Sequence, residues 1–344
     1  MTTKTAQLAR TKAVARLAVA RALYRSGRLA PPASPLIVAY HRVVEHDPYS
    51  YPPGMAVARA TFEAQIAYLS DHFVFLPLSQ IAACLASNRA LPTGACAVTF
   101  DDGWADAFQV GREILRSAGC PATTFLTVSH IGTGREFWLS RLVRVLRAAR
   151  GDGPAFSAWP KPLARQAAEF GRNGGPLPLQ VATWLGSMTL ERREALLDDA
   201  ARVTGSEAIV QSDEFMSWDD VREWLSSGME VGSHGCEHAC LPREDARMVA
   251  EEVGESKRVI EQRTRQRVAS FAYPYGDYNP AVRAAVVEAG YECACAVLSP
   301  SKPLDRFALP RRTLHEGTTA GPRGQFEPAL LAWFLSGVFW RRRH

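Results

Sequence analysis

Two patterns of hydrophobic and polar positions alternate along the chain. Short apolar runs rich in β-branched residues lie at 35–41, 95–102, 122–128, 229–234, 267–273 and 292–297. Between these runs, apolar residues recur at the three- and four-residue spacing of helices. Strands that alternate with helices in this way predict an α/β fold, with parallel strands joined by helices.

Two of the predicted helices carry clear end signals. Ser217 precedes one helix as a candidate N-cap, and Gly228 follows it. Gly290 follows the second helix, directly before the strand pattern at 292–297. Each helix is therefore expected to lead straight into a strand.

The strand pattern is absent from about 135 to 211, where Arg, Leu and Ala recur at helical spacing between Gly- and Pro-rich segments. This region predicts a mainly helical insertion. The expected divisions are a basic helix ending at Pro31-Pro32, two α/β parts around the insertion, and an amphipathic tail, with bounds 1–34, 35–134, 135–211, 212–316 and 317–344.

Composition and charge narrow the classes of protein. A chain of 344 residues with 47% hydrophobic content can form one large α/β domain that carries an insertion. The net charge of +5 is modest and the basic residues are dispersed along the centre of the chain. We therefore expect no nucleic-acid partner.

Cysteine usage and the two ends bear on location. The seven cysteines are odd in number and lie mostly in apolar segments, as expected of buried thiols in a reducing cytoplasm. Basic residues interrupt every apolar run near the N-terminus, so no signal peptide is expected, and the run at 328–340 is too short to span a bilayer. A cytoplasmic location is predicted.

A peripheral contact with an anionic membrane is a further prediction. Residues 1–30 carry no acidic side chain, and the C-terminal run combines Trp333, Phe334, Phe339 and Trp340 with basic residues 341–343. This composition suits the interface of an anionic membrane. The alternative, that both ends cover the folded domain, remains open.

Three motifs carry candidate chemistry. Asp101 and Asp102 follow an apolar strand in TFDDG, and two adjacent carboxylates there are costly unless a cation or acid–base chemistry uses them. His234 and His238 lie four residues apart in SHGCEH, a spacing that suits one metal ion. The third motif, FAYPYGDYN at 271–279, ends a strand in an aromatic turn.

Each motif also has a simpler explanation, since a DDG turn, a chance histidine pair and an aromatic turn all occur without function. Cys236 and Cys240 are alternative thiolate ligands, although two histidines and one carboxylate already complete an open catalytic site. All three motifs nevertheless follow the C-terminal end of a strand, where β/α barrels build their active sites. Together they predict one metal-dependent site.

On these motifs the sequence resembles the polysaccharide deacetylases with a NodB homology domain, carbohydrate esterase family four, over 35–134 and 212–316. The resemblance implies a distorted (β/α) barrel with a mainly helical insertion. It also implies a hydrolase that removes N-acetyl groups from amino-sugar saccharides. Zinc is the expected ion, with cobalt, nickel or iron as alternatives.

The resemblance also implies roles for individual residues. Asp101 would be the catalytic base, and Asp102, His234 and His238 would hold the metal. The turn at 273–275 would line the substrate groove through Tyr273, Pro274 and Tyr275, with the backbone N–H of Tyr275 helping to hold the oxyanion.

The sequence departs from the family pattern at three places. Ala272 replaces an Arg that orients the base in many members, which leaves Arg311 or Arg312 as candidate substitutes. Gly235 stands where Ser or Thr usually follows the first histidine.

The third departure concerns the general acid. Many members supply it from a late Leu-x-His motif, but Leu314 directly precedes His315 here. His41 ends the first apolar strand, on the same rim of a parallel barrel as the other motifs. Some relatives resemble this arrangement, and His41 is therefore the predicted general acid, with a purely structural hydrogen-bonding role as the alternative.

Two other functions share these features. A deformylase or other amidase acting on a lipid-linked amino sugar would use the same motifs. An inactive carbohydrate-binding or membrane-associated module is a different class, which the presence of both the base and all three ligands disfavours.

Overall fold

The computed structural model describes residues 3–29, 35–52, 54–149, 156–173, 177–208, 210–297 and 304–336. Its strands are β1 (Leu36–Tyr40), β2 (Arg42–Val44), β3 (Ala56–Ala58), β4 (Val74–Phe75), β5 (Ala95–Phe100), β6 (Ala122–Leu126), β7 (Glu230–Ser233), β8 (Ser270–Ala272), β9 (Cys293–Ala296), β10 (Leu309–Pro310) and β11 (Arg312–Thr313). Each of the six predicted strands is present, as β1, β5, β6, β7, β8 and β9.

The helices alternate with these strands. They are α1 (Thr3–Arg25), α2 (Arg59–His72), α3 (Leu78–Ala86), α4 (Arg112–Ser117), α5 (Trp138–Ala148), α6 (Lys161–Asn173), α7 (Leu179–Gly186), α8 (Leu190–Thr204), α9 (Trp218–Ser226), α10 (Ala246–Thr264), α11 (Pro280–Glu288), α12 (Glu316–Thr319) and α13 (Pro328–Leu335). A capping box at Ser217 begins α9, as predicted. Gly228 and Gly290 adopt positive φ after α9 and α11, also as predicted.

The main sheet is a parallel barrel. Its strands lie in the order β10, β9, β8, β7, β6, β5, β1, β11, and β4 pairs with β5 beside this path. The segment 309–313 closes the barrel, because β10 pairs with β9 on one side while β11 pairs with β1 on the other. The predicted (β/α) barrel is confirmed.

The barrel has an apolar interior below the rim that carries the motifs. Residues from six strands meet in one buried cluster, which includes Ile37, Ala97, Phe125, Ala272 and Leu309. Side chains of α3 join this cluster. A larger cluster packs the other helices against the outside of the strands, so strands such as β1 and β5 are buried along their whole length.

The region between β6 and β7 contributes helices α5 to α8. Helix α5 packs against α6 and α8. Thr189 caps α8 by accepting a hydrogen bond from the backbone of Arg192, and Gly205 ends this helix at φ 66°. The predicted helical character of this region is present in the structure.

The two ends of the described chain pack on each other. Leu17 and Ala20 of α1 lie in one cluster with Ala329 and Leu330 of α13. Arg21 forms an ion pair with Glu327. The Pro31-Pro32 break, Phe339, Trp340 and residues 341–343 lie outside the described residues, so the membrane contact stays a prediction.

A search of the described helices finds none that is both long and apolar enough to cross a membrane.

Candidate active site

Three predicted ligands meet at the rim of the barrel. The Nε2 atoms of His234 and His238 each lie 3.6 Å from Oδ1 of Asp102. All three side chains are buried, and their ligand atoms lie within 4.8 Å of one another. The structure therefore brings these residues together as the sequence predicted.

The backbone places these ligands through conformations that most residues avoid. Asp102 has φ 72° and His238 has φ 54°, both in the left-handed region. Such strain in non-glycine residues is typical of functional sites. Gly103 continues the turn at φ 87°, and a Cβ there would lie 2.8 Å from the side chains of Leu126 and Ile131. The TFDDG turn thus requires glycine at position 103.

Hydrogen bonds orient the ligand atoms. Nδ1 of His234 lies 2.7 Å from the carbonyl oxygen of Ala272, which directs Nε2 towards Asp102. Trp104 donates its indole N–H to Oδ2 of Asp102 at 2.8 Å. Oδ1 of Asp102 is buried and has no hydrogen-bond partner among the described residues.

The pKa shifts of Asp102, His234 and His238 are those expected of a cation site. Burial, reinforced by the charge of Asp101, raises the pKa of Asp102 to about 7. Burial lowers the pKa of His234 and of His238, so both imidazoles are neutral. An unpartnered carboxylate oxygen facing two neutral imidazoles is the donor set of a divalent metal site.

Asp101 has a different partner. Arg311 donates two hydrogen bonds to its carboxylate, from Nη1 to Oδ1 at 2.6 Å and from Nη2 to Oδ2 at 2.7 Å. Burial alone would raise the pKa of Asp101, but the charge and hydrogen bonds of Arg311, together with His234 and His41, outweigh it and hold this pKa well below its ordinary value. Arg311, and not Arg312, thus occupies the tethering position that Ala272 leaves empty.

His41 lies beside the same carboxylate. Its Nε2 is 4.0 Å from Oδ2 of Asp101, and its side chain is 20% exposed. It lines the cavity together with Asp101, whereas His315 does not. Burial lowers the pKa of His41 to about 4, against the opposing effect of Asp101. The position of His41 favours the early histidine over the late one as the proton donor.

The loop that carries His238 is held from both sides. Glu252 of α10 accepts hydrogen bonds from the backbone N–H groups of Cys236 and Glu237. Gly235 adopts φ 83°, and a Cβ at this position would lie 2.6 Å from the Glu252 carboxylate. The positive φ, together with this contact, favours glycine at position 235.

Arg193 of α8, a residue with no signal in the sequence, holds this loop from the other side. It donates to the backbone carbonyls of His238 and Glu237 at 3.1 and 3.2 Å and to the hydroxyl of Tyr275 at 3.0 Å. Its guanidinium also lies 5.0 Å from the ring centroid of Trp138. The helical insertion therefore contributes directly to the active site.

A cavity of about 320 Å³ opens over these residues. Tyr275 lines it, and the ring of Tyr275 lies 4.5 Å from that of His238. The groove prediction does not hold for Tyr273, which is fully buried and donates its hydroxyl to the carbonyl of Phe307. Pro274 is also buried and absent from the cavity wall. Tyr275 adopts φ 60° within the turn, and of these three residues it is the one that is exposed and lines the cavity.

The cysteines do not join the metal ligands. All seven are free, and Cys236 is the one that is not fully buried. Burial raises the pKa values of Cys236 and Cys240, which favours neutral thiols. The alternative of thiolate ligands is therefore not supported.

Comparison with known proteins agrees with the predicted family. Residues 186–294, less than half of the chain, match the sequence model of the polysaccharide deacetylase family. This span contains His234, His238 and Tyr275 but not the two aspartates, which the fold brings beside them. The predicted enzyme class, a hydrolase that acts on carbon–nitrogen bonds other than peptide bonds, is confirmed by this match. No curated protein sequence matches the chain.

Solved structures show the same fold at low sequence identity. The deacetylase PplD of Streptococcus pyogenes, solved with acetate, is 15% identical with a TM-score of 0.55, over 86% of this chain and 97% of that one. IcaB from Ammonifex degensii is 16% identical with a TM-score of 0.55, over 89% and 98%. The polysaccharide deacetylase BC0361 from Bacillus cereus is 17% identical with a TM-score of 0.53, over 87% and 68%.

Proposed function

We propose that the protein is a metal-dependent deacetylase that hydrolyses the N-acetyl amide of an amino-sugar saccharide. The observation that carries this proposal is the buried, unpartnered Oδ1 of Asp102, which lies 3.6 Å from two neutral imidazoles and next in sequence to the tethered Asp101. The family match and the barrel fold support it. We name zinc as the ion, with cobalt, nickel or iron as alternatives.

Asp102, His234 and His238 would hold the metal. When bound, a divalent ion supplies Lewis acidity towards the amide carbonyl and towards water. Asp101 then takes the proton of the attacking water, a task for which its depressed pKa keeps it ionised. When water attacks, the carbonyl oxygen of the amide becomes an oxyanion. The backbone N–H of Tyr275 would donate a hydrogen bond to it.

The departing amine must receive a proton, and we assign this step to His41. Because the pKa of His41 is lowered to about 4, its imidazole is neutral in the free protein. It must therefore take up a proton during turnover. Asp101, protonated by the water, is a source 4.0 Å away. His41 then transfers the proton to the amine nitrogen as the carbon–nitrogen bond breaks.

Mass spectrometry of N-acylated saccharides tests the proposal. Purified protein should release acetate from N-acetylglucosamine oligomers, lose this activity with a chelator, and regain it with zinc. Asp101→Asn protein is the matched control, since it keeps the metal ligands. Release of formate but not acetate would assign a deformylase, and hydrolysis that persists unchanged in chelator would contradict metal dependence.

A further inference from the structure

One wall of the active-site cavity has no role in the proposed reaction. The helical insertion builds it, with Leu139 of α5, Leu177, and Leu179, Ala182 and Thr183 of α7. Val297 adds a further aliphatic side chain from the end of β9. Among the described residues of the insertion that line the cavity, the polar groups are the hydroxyl of Thr183 and the indole N–H of Trp138, which has no hydrogen-bond partner.

The mouth of this wall exposes aliphatic surface to water. Leu179 is 60% exposed and Val297 is 37% exposed. Exposed apolar side chains that gather at a concave surface commonly mark a binding site. Here they adjoin the catalytic residues rather than a separate face of the protein.

The wall is poorly suited to the hydroxyl groups of a sugar ring. A buried hydroxyl without a hydrogen-bond partner loses free energy relative to water. Leu139, Leu177, Leu179, Ala182 and Val297 offer no partner, which leaves Thr183 and the indole N–H of Trp138 among the described residues that the insertion adds. A hydrocarbon chain has no such requirement, and each methylene that leaves water favours binding.

The wall begins beside the reacting centre. The ring of Phe137 lies 5.6 Å from that of His238, and Trp138 lies 6.5 Å from Tyr275, measured between ring centroids. These two aromatic residues lead from the metal ligands to the aliphatic residues of the insertion. A chain attached near the reacting amide therefore reaches the wall without leaving the cavity.

We propose that this wall binds a hydrocarbon chain carried by the amino-sugar substrate. The proposal rests on the proposed function and names the substrate class within it, an amino sugar bearing a lipid-like substituent. The chain has two chemical sources, a long N-acyl group or a lipid joined to the sugar through its glycosidic oxygen, and the experiment separates them.

The experiment measures kcat/KM for two series of substrates, each used below its critical micelle concentration. One lengthens the N-acyl group of methyl glucosaminide from acetyl to octanoyl, and the other lengthens the aglycone of N-acetylglucosaminide from methyl to octyl. We expect kcat/KM to rise about threefold per methylene in one series, as burial of each methylene predicts. The series that rises identifies the source of the chain.

Variants locate the effect. Leu179→Ser should lower kcat/KM for the longest effective substrate by about tenfold, with little change for the shortest. Val203→Ser is the matched control, because Val203 is a 51% exposed residue of the same insertion that does not line the cavity. Both positions are exposed, so neither substitution should impair folding.

The outcomes are distinct. A flat dependence on chain length in both series, with acetyl oligomers hydrolysed normally, would overturn this inference and leave the proposed function intact. Equal effects of Leu179→Ser and Val203→Ser would also overturn it. Failure to hydrolyse any substrate would refute the proposed function, and the inference with it.

Discussion

Asp101 and Asp102 are adjacent in the chain and equally buried, yet their surroundings are opposite. Asp101 is paired with a guanidinium that keeps it ionised, whereas Asp102 has an unpartnered oxygen and a pKa raised to about 7. The negative charge of Asp101 is therefore balanced by a positive charge within the protein. Under the proposed function, a cation would supply the missing partner of Asp102.

Different parts of the fold hold Asp101 and the metal-ligand group of Asp102, His234 and His238. Arg311, from the segment that closes the barrel, holds Asp101. Arg193, from the helical insertion, holds the loop that carries His238. The comparison teaches that two identical side chains can be suited to different roles, here the proposed base and the proposed metal ligand, by the groups that surround them. Each prediction below tests the surroundings of one aspartate against those of the other.

The largest expected effect separates base from ligands. Asp101→Asn should reduce kcat by about 10³-fold or more while the protein retains its metal. Asp102→Ala, His234→Ala and His238→Ala should each release the metal. Elemental analysis of the four purified variants with their turnover decides the assignment. Equal metal loss in all four, or full retention in the histidine variants, would exclude it.

Removal of the tether should be the next largest effect. Arg311→Gln leaves the Asp101 carboxylate buried without its charge partner, which should lower the free energy of unfolding by about 3–5 kcal/mol. The pKa of Asp101 should rise, so the acid limb of the pH profile of kcat/KM should move to higher pH. Denaturant unfolding and pH profiles measure both, with Arg312→Gln as the neighbouring control. An unmoved acid limb would contradict the tethering role.

The general acid should give a smaller effect. His41→Ala should reduce kcat by about 100-fold with little change in KM, because the acid acts on the departing amine rather than on binding. His315→Ala should leave kcat close to the wild-type value. Steady-state kinetics with metal content checked in both variants makes the comparison. A large loss confined to the His315 variant would restore the late-motif assignment.

Loss of Arg193, the residue of the insertion that holds the His238 loop, should have a moderate effect. Arg193→Gln should weaken zinc binding by about tenfold, as expected for a residue that positions a ligand without touching the metal. Zinc titration by calorimetry measures it independently of activity. Arg192→Gln is the control on the exposed face of the same helix. If both variants bind zinc as the wild type does, Arg193 has no positioning role.

The smallest effect is a difference in proton release. Because the pKa of Asp102 is about 7 and its ordinary value is 3.8, the metal-free folded protein binds a proton here between these pH values. The free energy of unfolding therefore falls as pH rises through this window, and metal binding displaces the proton. Calorimetry in two buffers should show about one more proton released at about pH 5.5 than at about pH 8.5. Equal release at both would show that Asp102 is already ionised.

The site was predictable where local sequence determines geometry. Asp101 and Asp102 follow a strand that is buried along its whole length, and parallel strands bring their C-terminal ends to one rim. The same argument placed His41 beside them. Tyr273 was assigned wrongly to the groove because the aromatic turn alone does not show which ring points into the core.

The two arginines illustrate what the sequence left open. Arg311 and Arg312 lie next to each other, and only the alternation of side chains along 309–313 decides which one enters the barrel. The alternation could be used only if the exact position of a two-residue strand in the sheet was known, and the sequence does not give that position. Arg193 had no comparable signal, because its role depends on how the insertion packs on the barrel.

The closing segment 309–313 has a consequence for the order of folding. Arg311 is separated from Asp101 by 210 positions in the chain, and the same segment joins β9 to β1. During synthesis, the aspartate pair emerges long before its guanidinium partner exists. Contacts of such long sequence separation form late, since the chain between them must first be closed into a loop. Assembly of the catalytic base is thus among the last events of folding, and a ribosome-bound chain truncated before position 309 should hold the metal ligands without a competent base.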